Sequence, residues 1–433
     1  MNNISLPYGW QWKKLSDMAS VDSETLPSST DPNIEFDYID ISSVSTGNIP
    51  EELELYRFSD APSRARRVVK KFDILMSTVR PNLKAFAMFT GRARLTIAST
   101  GFSVISPKNW YDQQYIFSCL LSDFVSAQIA KVAVGSNYPA ISSYDVRRLI
   151  IPCPPDTIRE KISSIFSTID ESISSLSLLI DKSRQVQKGM VVDLLSRGID
   201  PATGQLRPSV HDAPELYNDS PLGPVPKAWS LELLKERLNG HGFIQTGPFG
   251  SQLHAYDYVD SGVPVVMPQD LLDGEISTDK ISYISPDKAE TLSRHKLASN
   301  DVIFSRRGDL TRSAFVDSDN GYQGFLCGTG CLLMRVKPEV LCAGWFSNLY
   351  GTRLVQAQVD GLAVGTTMAN LNSSILGKLL LPFPSVSEQQ QIHKRLQAVN
   401  SQLKVYISEL RKLRAQKAGL MRDLLTGKVP VSA

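Results

Sequence analysis

Ile150-Ile-Pro-Cys-Pro154 and Leu380-Leu-Pro-Phe-Pro384 each close an irregular region of this chain and open a long heptad-patterned stretch. The two pentapeptides lie 230 positions apart. The same offset relates Val134-Gly-Ser-Asn-Tyr138 to Val364-Gly-Thr-Thr-Met368. A repeat that is kept without gaps over this span indicates that the 433-residue chain consists of two related halves.

Upstream of these segments the two halves match more loosely. Phe72-Asp-Ile-Leu-Met-Ser77 resembles Asn300-Asp-Val-Ile-Phe-Ser305 at an offset of 228, and Pro7-Tyr-Gly-Trp10 resembles Pro226-Lys-Ala-Trp229 at an offset of 219. Each half therefore contains a variable globular part followed by a stretch of fixed length.

Each fixed stretch predicts a long α-helix. Pro155 and Ser387 lie near the expected starts, where proline and a capping hydroxyl are favoured, and Gly198 and Gly427 lie where the helices should stop. Apolar residues recur at an alternating spacing of four and three, which predicts a coiled-coil seam. The seam consists of Ile162, Phe166, Ile169, Ile173, Leu176, Ile180, Ser183, Gln187, Met190 and Leu194, and of Ile392, Leu396, Val399, Leu403, Tyr406, Leu410, Leu413, Lys417, Leu420 and Leu424.

Two arrangements of these helices fit the pattern. Each helix could pack onto its own globular half, or the two could pack against each other. A heptad pattern that continues for more than four repeats favours a partner helix of the same period. We therefore expect two helices of about 40 residues, roughly 60 Å long, to form an antiparallel coiled coil with the two globular parts at opposite ends of a rod.

The predicted fold class is α+β, with two globular domains in a pseudo-two-fold repeat joined by the helix pair. The expected organisation is a first domain over 1–155, a central helix over 156–198, a proline-rich linker over 199–225, a second domain over 226–385, and a C-terminal helix and tail over 386–433. Short strands are expected at Asp37–Ile41, Asp73–Ser77, Gly101–Ile105, Val263–Met267 and Asp301–Ser305.

Charge is distributed unevenly although the net charge is only +2. Ten acidic and no basic residues lie between Leu15 and Tyr56, whereas ten basic residues and two acidic ones lie between Arg57 and Arg94. Such a basic segment is the pattern expected of contact with nucleic-acid phosphates.

The candidate DNA-binding residues combine cations with aromatic and amide side chains, which suit phosphates and base edges. They are Arg64, Arg66, Arg67, Lys70, Lys71, Arg80, Lys84, Asn137 and Tyr138 in the first domain, and Gln252, His254, Tyr256, Arg294, Lys296, Arg306, Arg307, Arg312, Thr366 and Thr367 in the second. The tracts 135–138 and 365–368 could be DNA-facing loops or turns that set the entry angle of the following helix.

Sequence signals of catalysis are absent. The chain has neither an Asn/Asp-Pro-Pro-Tyr/Phe motif for amino-group methylation nor a G-x-x-x-x-G-K-[ST] phosphate loop. The five histidines have no metal-ligand spacing, and the five scattered cysteines predict small buried side chains in a reducing compartment. With no apolar run long enough to span a membrane, we expect a cytoplasmic protein without catalytic residues or a bound metal.

The whole chain resembles the specificity subunits of type I restriction–modification systems. The residues that carry the resemblance are Leu380–Ile392, Asp423–Lys428, Thr246–Gln252, Gly262–Gln269 and the Pro-x-x-Trp opening of each half. One departure is Asp156-Thr-Ile-Arg-Glu-Lys161, which stands where the second half has Val386-Ser-Glu-Gln-Gln-Gln391. It weakens the expectation that both copies contact a partner in the same way.

The resemblance implies that each globular part is a target-recognition domain reading one half of a split, asymmetric sequence in double-stranded DNA. It implies two methylation subunits that bind S-adenosylmethionine and methylate adenine. It also implies restriction subunits that use ATP and magnesium. A two-headed DNA-binding scaffold unconnected to methylation is the alternative, and an autonomous nuclease or methylase is a third class.

Overall fold

The computed structural model describes residues 5–135, 137–272, 274–363 and 370–431, and its contacts divide the chain into two compact units. Unit 1 comprises residues 1–179 and 406–433, and unit 2 comprises residues 180–405. Both long helices contribute to both units, so this division differs from the chain-order domains expected from the sequence.

Unit 1 contains ten strands, four complete helices and parts of the two long ones. The strands are β1 (Gln11–Lys14), β2 (Ala19–Val21), β3 (Glu35–Ile39), β4 (Glu54–Arg57), β5 (Ala65–Val69), β6 (Ile74–Ser77), β7 (Phe86–Met88), β8 (Thr96–Ser99), β9 (Phe102–Pro107) and β10 (Ile150–Cys153). The helices are α1 (Leu15–Met18), α2 (Trp110–Leu121), α3 (Asp123–Val132), α4 (Ser143–Arg147) and the first part of α5 (Asp156–Ser196).

Unit 2 repeats most of these elements. Its strands are β11 (Tyr217–Asn218), β12 (Val225–Pro226), β13 (Ser230–Leu233), β14 (Gly242–Thr246), β15 (Tyr258–Val259), β16 (Val263–Val266), β17 (Leu271–Leu272), β18 (Glu275–Ile276), β19 (Ser282–Ile284), β20 (Asp301–Ser305), β21 (Ser313–Val316), β22 (Leu326–Cys327), β23 (Cys331–Val336) and β24 (Leu380–Phe383). Its helices are α6 (Leu234–Leu238), α7 (Pro286–Thr291), α8 (Ala343–Tyr350), α9 (Arg353–Ala363), α10 (Ser373–Gly377) and the first part of α11 (Val386–Leu424).

The sheets of the two units correspond. The order β2-β9-β6-β7 in unit 1 matches β14-β23-β20-β21 in unit 2, with antiparallel neighbours throughout. The second four-stranded sheets are β4-β3-β8-β5 and β15-β19-β16-β22, and each contains one parallel pair, β3 with β8 and β16 with β22. The five strands expected from the sequence are present, each shifted by no more than two residues. The α+β fold with two domains is therefore confirmed.

The Pro-x-x-Trp and Pro-x-Pro segments of each half are neighbours in space. In unit 1, β1 pairs antiparallel with β10, and in unit 2, β13 pairs antiparallel with β24 in the same register. These two-stranded sheets hold the start of each domain against the strand that leads into its long helix.

The long helices have the predicted lengths, 41 residues for α5 and 39 for α11. Gly198 and Gly427 have φ angles of +68°, so each ends its helix in the left-handed conformation that favours glycine. Ser387 is not the cap, because α11 already begins at Val386. The hydroxyl of Ser385, the last residue before the helix, accepts the N–H of Glu388 at 3.2 Å.

The seam side chains lie on the covered faces of both helices, and each is buried or half-buried. Two of its polar members have partners on the other helix. In unit 1, Lys417 forms an ion pair with Asp170, and in unit 2, Nε2 of Gln187 donates to Oδ1 of Asn400 at 2.6 Å. From Asp170 to Gln187 the position in α5 advances by 17 residues. Over the same interval the partner in α11 moves back by 17 residues, from Lys417 to Asn400.

Each core combines its own sheets with residues from both long helices. In unit 1, Ile162 and Phe166 of α5 share a buried cluster with Leu424 of α11 and Leu425 beyond its end. In unit 2, Ile392 and Leu396 of α11 share a buried cluster with Leu194 and Leu195 of α5. The five cysteines are buried and unpaired, which confirms the expectation of small core side chains.

The segment 199–225 is packed onto unit 2 and is not a free tether. Ile199 is fully buried, and the guanidinium of Arg207 contacts the buried Glu388 carboxylate through both of its terminal nitrogens. Glu388 also accepts the indole N–H of Trp229 at 3.1 Å and the backbone N–H of Ile199 at 2.9 Å. One carboxylate therefore joins the linker, the domain opening and the start of α11.

No single helix among the described ranges has the length and apolar character needed to cross a membrane. The pair α2 and α3, bent by 64°, reaches that criterion only when the two helices are counted together. Nearly all of α2 is buried in the core of unit 1.

Replacing Glu388 by alanine is expected to lower the free energy of unfolding by about 3–5 kcal/mol, because the buried Arg207 charge loses its partner. Chemical denaturation followed by tryptophan fluorescence measures this change. Lys404→Ala is the control, since it removes an exposed ion pair with Glu275 in the same unit and should cost less than about 1 kcal/mol. Equal losses in the two variants would contradict the assignment.

Candidate nucleic-acid interface

Four segments of unit 1 meet beside the end of β6. The N–H of Thr78 donates to the carbonyl of Gly101 at 2.8 Å, and the N–H of Ile141 donates to the carbonyl of Thr78 at 2.9 Å. The N–H of Thr100 donates to the carbonyl of Arg64 at 2.8 Å. The start of β5, the β8–β9 turn, the loop after β6 and the segment before α4 therefore form one face.

Unit 2 brings three of these segments together with two of these backbone bonds. The N–H of Arg306 donates to the carbonyl of Gly330 at 2.8 Å, and the N–H of Leu371 donates to the carbonyl of Arg306 at 2.9 Å. Since the two hydrogen bonds recur at offsets of 228 to 230, the segments that they join have the same arrangement in both units.

The loops after β6 and β20 have the same conformation where they begin. The hydroxyl of the last serine of β6 donates to the carbonyl of Val79 at 2.6 Å, and the last serine of β20 donates to the carbonyl of Arg307 at 2.8 Å. The following residues, Arg80 and Gly308, are both left-handed, with φ angles of 50° and 76°. A non-glycine residue in this conformation is uncommon and marks a position held by its surroundings.

The basic cluster of β5 divides into exposed and structural side chains. Arg64 is exposed and forms an ion pair with Asp40 at 2.9 Å, and Arg66 lies 4.7 Å from the centre of the Phe58 ring. Arg67 is only 18% exposed and pairs with the buried Asp22 at 3.4 Å. Arg67 therefore holds β5 in place and Arg66 is half-buried beside Phe58, whereas Arg64 lies at the surface.

The carboxylate of Asp40 stays ionised beside Arg64. Burial acts to raise the pKa of Asp40, but hydrogen bonds from Ser42 and the charge of Arg64 outweigh it, so the pKa is lowered. In turn, Tyr38 and then Asp40 raise the pKa of the Arg64 guanidinium. The ion pair thus keeps the guanidinium charged at the edge of the face.

A basic groove lies next to this cluster, at the hairpin before β8. Its walls include Lys70, Lys71, Arg92 and Arg94. Lys70 is paired with Glu24, while the ammonium of Lys71 is exposed and lies 5.1 Å from the Phe72 ring. Arg92 and Arg94 were not among the candidates, although they end the basic segment seen in the sequence.

The remaining candidates of unit 1 lie on the loops beside Thr78. The guanidinium of Arg80 lies 4.2 Å from the centre of the Tyr138 ring, and both side chains are exposed. Asn137 is exposed beside them. Lys84 is half-buried, and its ammonium donates to the carbonyl of Leu121 at 2.6 Å. This hydrogen bond stabilises the loop by joining it to the end of α2.

In unit 2 the candidates fall into two groups. Gln252, His254 and Tyr256 lie on the loop after β14, and the rings of His254 and Tyr256 stack at 4.9 Å with an angle of 21°. Arg294 is exposed, while Lys296 forms an ion pair with Glu290.

The second group follows β20. Arg306 donates to Oδ1 of Asn370 at 3.1 Å, Arg307 is exposed, and Arg312 pairs with Asp309 at 3.2 Å. The hydroxyl of Thr311 is the largest cause of the lowered pKa of Asp309, and Arg312 acts in the same direction. Thr366 and Thr367 lie outside the described residues.

The sequence did not reveal the exposed apolar side chains on the face of unit 1. Val79 is 38%, Leu83 62% and Val134 77% exposed. An apolar residue in a sequence is expected to be buried, so only the alignment of Val79 with Arg307 could have suggested a surface position. Groups of acidic, histidine or cysteine side chains that could hold a metal ion are absent from the part of the chain that the structure covers.

Comparisons with known proteins find one matching family model and several similar proteins. The family model "Type I restriction modification DNA specificity domain" matches residues 7–181 and 257–409. The MjaVIII specificity subunit of Methanocaldococcus jannaschii is 22% identical over 376 residues, which cover 84% of this chain and 80% of that protein.

Two solved structures have a similar fold. The S subunit of a type I restriction–modification system from M. genitalium gives a TM-score of 0.61 at 14% identity, covering 100% of this chain and 98% of that one. A chain from a study of assembly and conformational transition of a type I system gives a TM-score of 0.51 at 21% identity, covering 98% and 100%.

Lys71 and Arg67 should respond differently to neutralisation. Lys71→Gln is expected to reduce the slope of log affinity for DNA against log salt by about 1, because one phosphate contact is lost. Arg67→Gln is expected to leave that slope unchanged and to lower the free energy of unfolding by about 2 kcal/mol, because Asp22 loses its charged donor. Binding titrations at several salt concentrations and denaturation curves test both outcomes, and an unchanged slope in Lys71→Gln would remove Lys71 from the interface.

Proposed function

Because the chain belongs to the family of type I restriction–modification DNA specificity proteins, we propose that it selects a bipartite, asymmetric DNA site for partner subunits to methylate or cleave. The observation that carries the proposal is a face on which the same three segments meet in each unit, joined by the same two backbone hydrogen bonds but with different side chains. Two unlike faces on one chain suit a site with two unlike half-sequences.

The two long helices are proposed to form an antiparallel coiled coil that sets the distance between the half-sequences. Its support is the burial of the seam residues and the two polar contacts, Asp170 with Lys417 and Gln187 with Asn400. Residues 170 and 400 are equivalent by the 230-residue offset, as are 187 and 417. The polar contacts therefore obey the same pseudo-two-fold relation as the domains.

The chemistry is proposed to reside on other chains. Two methylation subunits with S-adenosylmethionine would modify adenine, and restriction subunits with ATP and magnesium would translocate and cleave DNA, all in the cytoplasm. The lack of methylation and phosphate-loop motifs in this sequence supports this division of labour. The alternative, a DNA-binding scaffold unconnected to methylation, predicts that no methylation subunit co-purifies with the chain.

The direct test is a genome-wide map of methylated adenine in cells with and without the gene. We expect one bipartite sequence, with one methylated adenine on each strand, to lose its methylation when the gene is removed. An unchanged map in cells that express the methylation subunits would refute the proposal.

Shortening both helices should shorten the gap between the half-sequences. Deleting residues 173–179 together with their equivalents 403–409 removes one heptad from each helix, about 10 Å of length or roughly three base pairs. The methylation map should then show the same half-sequences with a gap smaller by about three. Deletion from one helix alone is the control, since it misaligns Asp170 with Lys417 and should abolish methylation. An unchanged gap after the double deletion would contradict a spacer role.

Exchanging residues 1–155 for the matching domain of a relative should change one half-sequence only. The second half-sequence should remain, because its face lies within unit 2 and is not altered. The same methylation map measures both, and it also assigns each half-sequence to its unit. A change in both half-sequences would contradict independent reading by the two faces.

A further inference from the structure

The loops after β6 and β20 share a backbone but differ in chemistry. Val79 forms a bridge with Ala140, and at equivalent positions Arg307 forms a bridge with Asn370. With the serine bonds and the left-handed residues described above, these bridges place residues 77–80 and 305–308 in corresponding surroundings.

At one of these corresponding positions unit 1 is apolar where unit 2 is polar. At the offset of 228 that relates the ends of β6 and β20, Val79 corresponds to Arg307. The Val79 and Leu83 side chains project into solvent, as does that of Arg307. The difference therefore lies at the surface of each face and has no role in filling a core.

Val134 extends the apolar surface of unit 1. It forms a bridge with Ala140 on the same short segment that pairs with Val79, and it is the most exposed of the three apolar residues. The exposed ring of Tyr138, four residues later, packs under the Arg80 guanidinium. Val79, Leu83, Val134 and Tyr138 thus form an apolar patch with one cation at its centre.

The surroundings of this patch indicate what covers it. Thr78 and Gly101 connect it by hydrogen bonds to the β8–β9 turn, where the exposed Arg64 begins the basic cluster of β5. An apolar patch inside a basic rim fits a polyanion that also presents apolar groups. Double-stranded DNA does so in its major groove, where the only apolar group on a base edge is the 5-methyl of thymine.

We propose that the two faces read their half-sequences by different chemistry. In unit 1, Val79 contacts a thymine methyl group, and in unit 2, the equivalent Arg307 donates to the major-groove edge of guanine. The inference rests on the proposed function, because it assumes that these faces read DNA. It adds the class of base that each face requires.

Modified duplexes test the proposal at the level of single atoms. Once the methylation map and the domain exchange have assigned the half-sequences, the full-length chain with its methylation subunits is titrated with duplexes altered in one half-sequence at a time. Deoxyuridine removes only the thymine methyl, and 7-deazaguanine removes only the N7 acceptor. Uracil in the unit 1 half-sequence should weaken binding about 3- to 10-fold, and 7-deazaguanine in the unit 2 half-sequence should weaken it by a similar factor.

The crossed substitutions supply the internal control. Uracil in the unit 2 half-sequence should change affinity less than about 2-fold, since Arg307 stands there in place of Val79. Equal sensitivity of both half-sequences to uracil, or insensitivity of both, would overturn the proposal.

Protein variants connect the effect to named residues. The variant Val79→Arg gives this position of unit 1 the side chain that it has in unit 2, and it should abolish the sensitivity to uracil. Leu55→Thr is the matched control, because Leu55 is an exposed apolar residue on β4 of the same unit, outside the patch. It should bind both duplexes as the unaltered chain does, and thermal melting verifies that both variants are folded.

The outcomes separate this inference from the function on which it rests. A methylation map that does not depend on the gene would refute the proposed function. A bipartite map combined with uracil-insensitive binding, or with a Val79→Arg variant that keeps its uracil sensitivity, would refute only the assignment of thymine to unit 1.

Discussion

The structure of both units depends on the contact between the start of one long helix and the end of the other. Neither core is complete without it, since Leu424 closes the cluster around Phe166 and Leu194 closes the cluster around Leu396. Burying leucine and phenylalanine side chains contributes about 1.5–3 kcal/mol each. The helices therefore act as part of each domain core as well as a connection along the chain.

The two polar contacts within the seam give this helix pair a specific alignment. An apolar heptad pattern alone tolerates a shift by seven residues, whereas an ion pair at one position and an amide pair at its equivalent do not. A shifted alignment would leave Lys417 or Gln187 against an apolar neighbour, with an unpaired polar group that is costly to desolvate. The polar residues that interrupt the seam at equivalent places in both halves are thus better explained by a role in aligning the two helices than by a contribution to the stability of the fold.

Much of the fold followed from the sequence because it is carried by periodicity. The heptad positions, the glycine stops and the buried strand of Ile74–Ser77 are local patterns that tertiary structure did not override. The cap of α11 was assigned two residues too late, because a second serine follows Ser385 and only the hydrogen bond to Glu388 distinguishes them. The hydrogen-bond network around Glu388 joins residues that are nearly 190 positions apart in the sequence. A local sequence pattern cannot predict such a cluster.

The candidate interface was predicted less completely for a similar reason. Charge identifies a basic surface, and Arg64 and Arg80 are exposed on the face, but charge does not separate Arg67, which pairs with Asp22, from its exposed neighbours. Apolar side chains at a recognition surface look like core residues in a sequence. Only the pairing of Val79 with Ala140 shows that it lies on the face.

The position of Leu424 and Leu425 in unit 1 also governs the order in which the chain can fold on the ribosome. Unit 2 consists of one continuous segment and can close once residue 405 has emerged, whereas unit 1, although its first residues are synthesised earliest, waits for the end of α11. Termination of translation shortly after residue 405 would therefore remove Leu424 and Leu425 from the core of unit 1 while leaving the segment of unit 2 complete. Such a truncated product would keep the face that is synthesised later and lose the one that is synthesised first.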